Sequence, residues 1–439
     1  MKARLSRLPA VRPAALALSM LAALAVAAPA RAQQTTRLTD ADIVEAYEYM
    51  LGRWLVLRQE ALDLKEGFKW NELVHRAPEG PASSNPDVVY SEGWIALDEK
   101  TCTLVDIPEI KGRYYSLQVL NGWGEVTANV NERTFPKHPF GRFALCLRDA
   151  KANLPKGTQR VNLPSKKSRV VMRIELGANP DEAIALQKKI AMKATGAPKI
   201  DEAVVKPDFP NSRLPGAEGF ERAEEILASE PDINAGMLDV RDKARAVARA
   251  VADPAQRARV DEIIRKRAIP VFLSEIPKVG RPVNGWIHPR NIGNYRTDYL
   301  MRTIANYQGG WANSSREAVY FTMSGIEGGQ MFTQTYPADA LPASKARYFW
   351  SVIALDNERQ QPVSNSLSRS MFNTRSPLKF NADGSLTLGF GPRLPANVPE
   401  SNWIPTQNGR RYTLTYRFYG PSKDASDGKY YPPALMRQR

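Results

Sequence analysis

Arg169-Val170-Val171-Met172-Arg173-Ile174-Glu175-Leu176 alternates residue by residue, placing Val170, Met172, Ile174 and Leu176 on one face. A period of two over eight residues is the signature of a β-strand with one buried face. The same period recurs upstream at Val88–Leu97, Arg113–Leu120 and Gly141–Leu147. It returns downstream at Ala318–Met323, Arg347–Leu355, Ser385–Phe390 and Arg410–Tyr419, where Tyr412, Leu414, Tyr416 and Phe418 share a face. Gly and Pro punctuate the gaps, and Asn381-Ala382-Asp383-Gly384 is a strong turn because Asp-Gly readily supplies positive φ angles. Short alternating runs at this spacing predict β-sandwiches of jelly-roll character.

Helical periods flank and divide the strands. Thr39 with Asp42 forms an acidic capping box, and Ile43, Tyr47, Met50, Trp54 and Leu57 then recur at helical spacing up to Gly67. Pro180-Asp181 opens a helix expected to run to about Thr195, before a Pro-rich stretch. Val240, Ala244, Val247 and Val251 define one apolar stripe and Val260, Ile263 and Ile264 another, with Asp253-Pro254 between them. The remaining faces are rich in Arg and Lys, which reads as solvated charge beside an apolar stripe rather than a nucleic-acid surface. One further helix is expected at about Thr297–Gln308, stopped by Gly309-Gly310. The fold class is therefore mainly β with a helical insert: two antiparallel β-sandwich (jelly-roll-like) domains joined by a helical connector. The expected parts are a leader at 1–32, an N-terminal helix plus first sandwich at 33–177, a helical connector at 178–290 and a C-terminal sandwich at 291–439.

The leader has the form of a cleaved Sec signal peptide: basic residues, an apolar core from Ala14 to Ala28, then Ala30-Arg31-Ala32 before Gln33. This points to a bacterial periplasm, with no transmembrane segment after cleavage. The formal charge of +15 includes five basic leader residues, so cleavage lowers it to +10. The balance points to anionic envelope surfaces, not nucleic acid. Cys102 and Cys146 form an even pair in an oxidising compartment; one disulfide and two buried thiols both fit. Three His and two Cys are too few for a zinc centre built on several such ligands, and no nucleotide or other cofactor fingerprint is present.

The segments Asn85-Pro86-Asp87-Val88-Val89-Tyr90-Ser91 and Gly112-Arg113-Tyr114-Tyr115-Ser116-Leu117-Gln118, with the turn Asn121-Gly122-Trp123, resemble the exported domain of unknown function numbered 1254. Ala346-Arg347-Tyr348-Phe349-Trp350-Ser351, Asp383-Gly384-Ser385-Leu386, Ser401-Asn402-Trp403-Ile404-Pro405 and Arg417-Phe418-Tyr419-Gly420-Pro421 resemble its partner, the domain numbered 1214. The resemblance implies two jelly-roll-like sandwiches in one exported chain, and no activity. Two departures stand out. Pro86 replaces the usual Thr, and the common Asp-x-x-Gly segment is present only loosely, at Gly325–Gly329.

Catalytic motifs of the Gly-x-Ser-x-Gly and Walker types are absent. The residues best suited to a ligand are Asp87, Tyr90, Tyr114, Trp123, Glu327 and Trp403: carboxylates at strand borders, and aromatics able to stack on a sugar or donate a hydrogen bond. The leading expectation is a periplasmic protein that binds an envelope-associated ligand, such as a glycan or an anionic surface. The competing one is a hydrolase of a glycan or other envelope polymer, using Asp87 with Glu327 or Asp356 as paired carboxylates. A third is a homo-oligomer assembled through the helical middle.

Overall fold

The computed structural model describes residues 38–78, 85–289 and 291–438; the expected leader lies outside them. The first sandwich uses strands β1 (Glu72–His75), β2 (Val88–Ala96), β3 (Cys102–Ile107), β4 (Tyr115–Leu120), β5 (Val126–Val130), β6 (Gly141–Leu147), β7 (Gln159–Leu163), β8 (Lys167–Glu175) and β9 (Ala191–Ala194). One sheet runs β1-β2-β8-β4-β5 and the other β7-β6-β3-β9. Val170, Met172 and Ile174 of β8 join Val89, Ile95, Leu117, Val119, Phe143 and Leu145 in the core between them. Each such side chain taken fully from water stabilises the fold by about 1.5–3 kcal/mol.

Apart from β1, the second sandwich repeats this plan strand for strand. Its members are β10 (Ala318–Glu327), β11 (Phe332–Tyr336), β12 (Ala346–Asp356), β13 (Met371–Asn373), β14 (Leu386–Gly391), β15 (Trp403–Pro405), β16 (Arg411–Pro421) and β17 (Met436–Arg437). The orders β10-β16-β12-β13 and β15-β14-β11-β17 map onto β2-β8-β4-β5 and β7-β6-β3-β9. Even the departure from antiparallel pairing is shared: β6 with β7 and β14 with β15 run parallel. Tyr412, Leu414, Tyr416 and Phe418 enter the second core, as their alternation predicts.

Helices form a third body. α1 (Asp40–Lys65) starts at the expected capping box: Thr39 Oγ1 accepts from Asp42 N (3.1 Å) while Asp42 Oδ2 accepts from Thr39 N (3.0 Å). It is buried on nearly every side, beyond the single expected stripe. α2 (Pro180–Lys188) is shorter than expected. Residues 191–194 leave the helix and become β9, because the edge of β3 needs a hydrogen-bonding partner and Thr103–Asp106 pairs with them. Around α1 gather α3 (Ala223–Ala228), α4 (Leu238–Ala252), α5 (Pro254–Ile263), α6 (Ile269–Glu275) and α7 (Tyr299–Gln308), in one apolar cluster with Trp54, Phe220, Val247 and Phe272. The basic faces are neutralised locally: Arg245 pairs with Glu224 and Asp242, Arg259 with Asp40, and Lys243 with Asp42, Glu45 and Asp239. No helix among the described residues is long and apolar enough to cross a membrane.

Cys102 and Cys146 are direct cross-strand partners on β3 and β6, with Cα atoms 4.6 Å apart, and they are joined as a disulfide. Of the two states compatible with the sequence, the bonded one is present. Replacing both by serine is expected to cost about 3–4 kcal/mol in urea unfolding, the loop-entropy value for a span of 44 residues. A change below about 1 kcal/mol would mean that the bond does not constrain the unfolded chain.

Candidate functional site

The two sandwiches meet through the outer faces of their first-named sheets. Val88, Tyr114, Ala318, Phe349 and Tyr419 form an apolar patch there, joined by half-buried Tyr90, Tyr320 and Tyr348. Phe349 stacks on Tyr419 at 4.3 Å between ring centroids, and Tyr114 meets Tyr419 edge-on at 4.8 Å. The middle of each sheet presents the same row to this seam. Across β2, β8 and β4 the row is Tyr90–Arg173–Ser116; across β10, β16 and β12 it is Tyr320–Arg417–Ser351. A carboxylate stands three residues before each tyrosine, Asp87 in the first sandwich and Glu317 in the second.

Ion pairs and amides cross the seam. Arg375 pairs with Glu175, and Arg133 with Glu317 while donating to Tyr348 Oη at 2.7 Å. Asn85 Nδ2 reaches Tyr90 Oη at 2.8 Å and Tyr419 Oη at 3.0 Å. Asn373 Nδ2 donates to Asp87 Oδ1 at 3.2 Å. Ser351 lies beside the same carboxyl, but neither its Oγ nor Asp87 Oδ2 completes a hydrogen bond of good geometry, though both are buried. Burial pushes the Asp87 carboxyl above its ordinary range, opposed by Ser351, Arg417, Asn373 and Arg375, which favour the ionised form. Burial also raises the phenols of Tyr90, Tyr114 and Tyr419, keeping them protonated. The seam thus holds fixed cations, neutral phenols and one carboxyl biased toward its acid form: groups able to bind and orient a polar ligand or hold a proton.

The segments that build this seam match known families. The model described as Protein of unknown function (DUF1254) matches residues 68–194, and that described as Protein of unknown function (DUF1214) matches residues 321–423. The chain pairs a DUF1254 domain with a DUF1214 domain. The VPA0106 protein from Vibrio parahaemolyticus is similar in fold, with a TM-score of 0.63 and 18% identity, over 91% of this chain and all of that one. An uncharacterized protein from Burkholderia cenocepacia aligns at 12% identity and a TM-score of 0.43, over 91% and 94% of the two chains. No curated protein matches.

Of the residues singled out in sequence, Asp87, Tyr90 and Tyr114 of the DUF1254 domain come together at the seam. Trp123 does not join them. Asn121 Oδ1 accepts from Trp123 N and Glu125 N, both at 3.0 Å, and this turn drives the indole into the helical core. There it lies 4.6 Å from the Tyr49 ring and under the Arg302 guanidinium. In the DUF1214 domain, Trp403 donates its Nε1–H to Gly391 O at 3.0 Å and pins β15 to β14. Glu327 pairs with Arg411 on an exposed strand end, and Asp356 caps its own turn by accepting from Glu358 N and Arg359 N. At about 3.3 Å per residue they lie roughly 23 Å and 16 Å along their strands from Tyr320 and Ser351. The structure brings neither together with Asp87. Among the described residues no group of three or more His, Cys, Asp and Glu is placed to hold a metal ion.

Arg173, Glu317, Tyr320, Arg417 and Tyr419 are the seam residues that sequence reading passed over. A signal was present: Asp87-Val-Val-Tyr90 and Glu317-Ala-Val-Tyr320 share one spacing.

Because its pKa is raised in the folded state, Asp87 contributes stability that is complete below about pH 4 and is lost as the pH rises through the folded value. Asp87→Asn does not titrate. It is expected to match or exceed the wild-type melting temperature at pH 7, with the gap closing toward pH 4 in scanning calorimetry. A gap that stays constant with pH would show that ionisation at this position carries no folding penalty.

Proposed function

We propose that the protein is exported through its 1–32 leader to the periplasm and there binds an envelope-associated ligand at the seam between its sandwiches. The observation that carries the reading is the pair of facing Tyr–Arg–Ser rows with Asp87 between them, whose buried Oδ2 lacks a well-formed hydrogen bond. Buried polar atoms in folded proteins nearly always have a partner, and a ligand hydroxyl or an ordered water would supply one here. The half-buried Tyr90, Tyr320 and Tyr348 give the ligand a route in and an aromatic surface to lie against. The paired-carboxylate hydrolase receives no such support, since Glu327 and Asp356 stand far along their strands.

Export is tested by recovering the protein from the periplasmic fraction of a bacterial host and sequencing its N-terminus, which should begin at Gln33. An uncleaved cytoplasmic chain would overturn that part of the reading. Binding is tested by thermal shift with glycans, peptidoglycan fragments and lipids. A true ligand at one hundred times its Kd should add about 2.7 kcal/mol and raise the melting temperature by several degrees. Asp87→Asn and Tyr90→Phe should each weaken that response. If no member of the panel moves the wild-type transition, seam binding is wrong.

A further inference from the structure

A cavity of about 140 Å³ lies at the end of the second sandwich where β16 begins, bordered by Gly328 after β10, residues 361–364 after β12 and the turn 406–410. An apolar cavity of about 150 Å³ admits one benzene, so this one has room for a single six-membered ring. Its walls are fixed. Gly328 N donates to Arg410 O at 2.8 Å, and Thr406 Oγ1 to Gly328 O at 2.6 Å. A Cβ on Gly328 would stand 2.3 Å from Gln407 O, so only glycine permits this approach. Gln407 Nε2 in turn donates to Ser364 O at 2.6 Å, and Val363 N to Ala354 O at 3.0 Å. Tyr412 lines the cavity. Only 2% of it is exposed, yet its hydroxyl has no hydrogen-bond partner among the described residues. Burial pushes the phenol up, so it stays a donor. A buried hydroxyl nearly always has a partner. Asp356, also at the border, lies roughly 16 Å along β12 from the seam row, so this is a second place.

We propose that this cavity binds one neutral sugar ring, held by the Tyr412 hydroxyl and by the polar side chains of its rim. The rim is electrically balanced. Arg411 pairs with Glu327 at 2.8 Å, and Arg410 stands 3.6 Å from both Asp356 and Glu358. With Arg359 as the third cation, three guanidiniums meet three carboxylates, and an anion would have to displace pairs already made. At 3.6 Å the Arg410 contacts are ion pairs without hydrogen bonds, which leaves its N–H donors for ligand oxygens. Asp356 spends Oδ1 on Glu358 N and Arg359 N, and its Oδ2 faces Arg410. Donors and acceptors therefore stand side by side, as vicinal hydroxyls require, since each hydroxyl both donates and accepts. Pro362, Val363 and the Tyr412 ring supply an apolar wall for the C–H face of a sugar. A hydrocarbon would leave the polar groups unused, and an inorganic anion the wall. This goes beyond the seam reading and does not depend on it.

The test uses the full chain at pH 7, by calorimetric titration and ligand-observed NMR. Glucose and N-acetylglucosamine are the single-ring probes, and maltotriose and chitotriose their chain forms. Glucuronate and cyclohexanol are the charged and the apolar counterparts. Saturable binding of at least one neutral sugar is expected, tighter than that of cyclohexanol, with glucuronate no tighter than glucose. A trisaccharide tighter than its single unit would place the end of a glycan in the cavity, and equal affinity a free sugar. Tyr412→Phe removes only the unpaired hydroxyl. It should leave the melting temperature unchanged or higher, and weaken sugar binding about two- to tenfold, the value of one net hydrogen bond. Val363→Phe should fill the cavity and abolish binding, whereas Tyr90→Phe at the seam should leave it unchanged. Glucuronate tighter than glucose would overturn the neutral-ligand assignment, and cyclohexanol as tight as the sugars would reduce the cavity to an apolar void. Sugar binding unchanged in Tyr412→Phe would overturn this site, and its loss in Tyr90→Phe would place the sugar at the seam instead. If no probe binds, the cavity holds water only and the inference is wrong.

Discussion

The outer face of β8 is the constraint on which the assembly depends. A strand with one apolar face normally turns its other face to water. Here the second face carries Arg169, Arg173 and Glu175, and all three are buried. Arg169 pairs with Asp63 of α1, which also accepts from Trp94 Nε1 at 2.8 Å. Arg173 ties down the segment after α7 through Trp311 O and Asn313. Glu175 receives Arg375 from the second sandwich. One strand therefore fastens three bodies, each through a charge that would be left exposed to a low-dielectric surround if its partner were removed. Breaking such a pair on one side typically costs about 3–5 kcal/mol, although an apolar replacement of the whole pair can be neutral. What the charges add over an apolar contact is register: each must meet its own partner, so the bodies can dock in one way.

The duplicated plan explains why a seam exists. Two sandwiches with the same eight-strand order present the same sheet, and the same Tyr–Arg–Ser row at its centre, toward each other. The duplication is imperfect where it matters. Glu317 is held by Arg133, whereas Asp87, at the equivalent position, meets only Asn373 with good geometry. The first sandwich also spends its opening β3–β6 pair on the cysteines, where the second places Phe332 against Phe390. Equivalent topology thus carries unequal side chains at equivalent positions.

Much of this was legible from local pattern. Strands β2, β4, β6, β8, β10, β12, β14 and β16 follow from period two, and the cap of α1 follows from Thr39 and Asp42. Most of the other strands were hidden because runs of two to five residues carry too little alternation; β9 was hidden by a helix signal that the edge of β3 overrode. Asp87, Tyr90 and Tyr114, which meet at the seam, were singled out from strand-entry chemistry and family resemblance. Arg173 and Arg417 were not, because an arginine on the polar face of an amphipathic strand is the ordinary pattern for solvent. Only the docking of a second sheet takes it out of water, and docking is a long-range fact. The same limit misassigned no fold but scattered the site: Trp123, Glu327 and Trp403 have suitable chemistry and sit in other surroundings.

α1 is the first described helix in chain order, yet the elements that bury it come late. Thr303 Oγ1 on α7 donates to Glu48 O, 255 positions away, and Lys243 of α4 reaches Glu45 across 198. A chain made from its N-terminus completes this long helix well before α4 and α7, so part of its surface stays uncovered while more than half of the chain is synthesised. Loop closure over such spans slows folding, and an unpaired apolar helix is a binding site for chaperones in the interval. An early described helix therefore waits on late elements of the chain before it is fully enclosed.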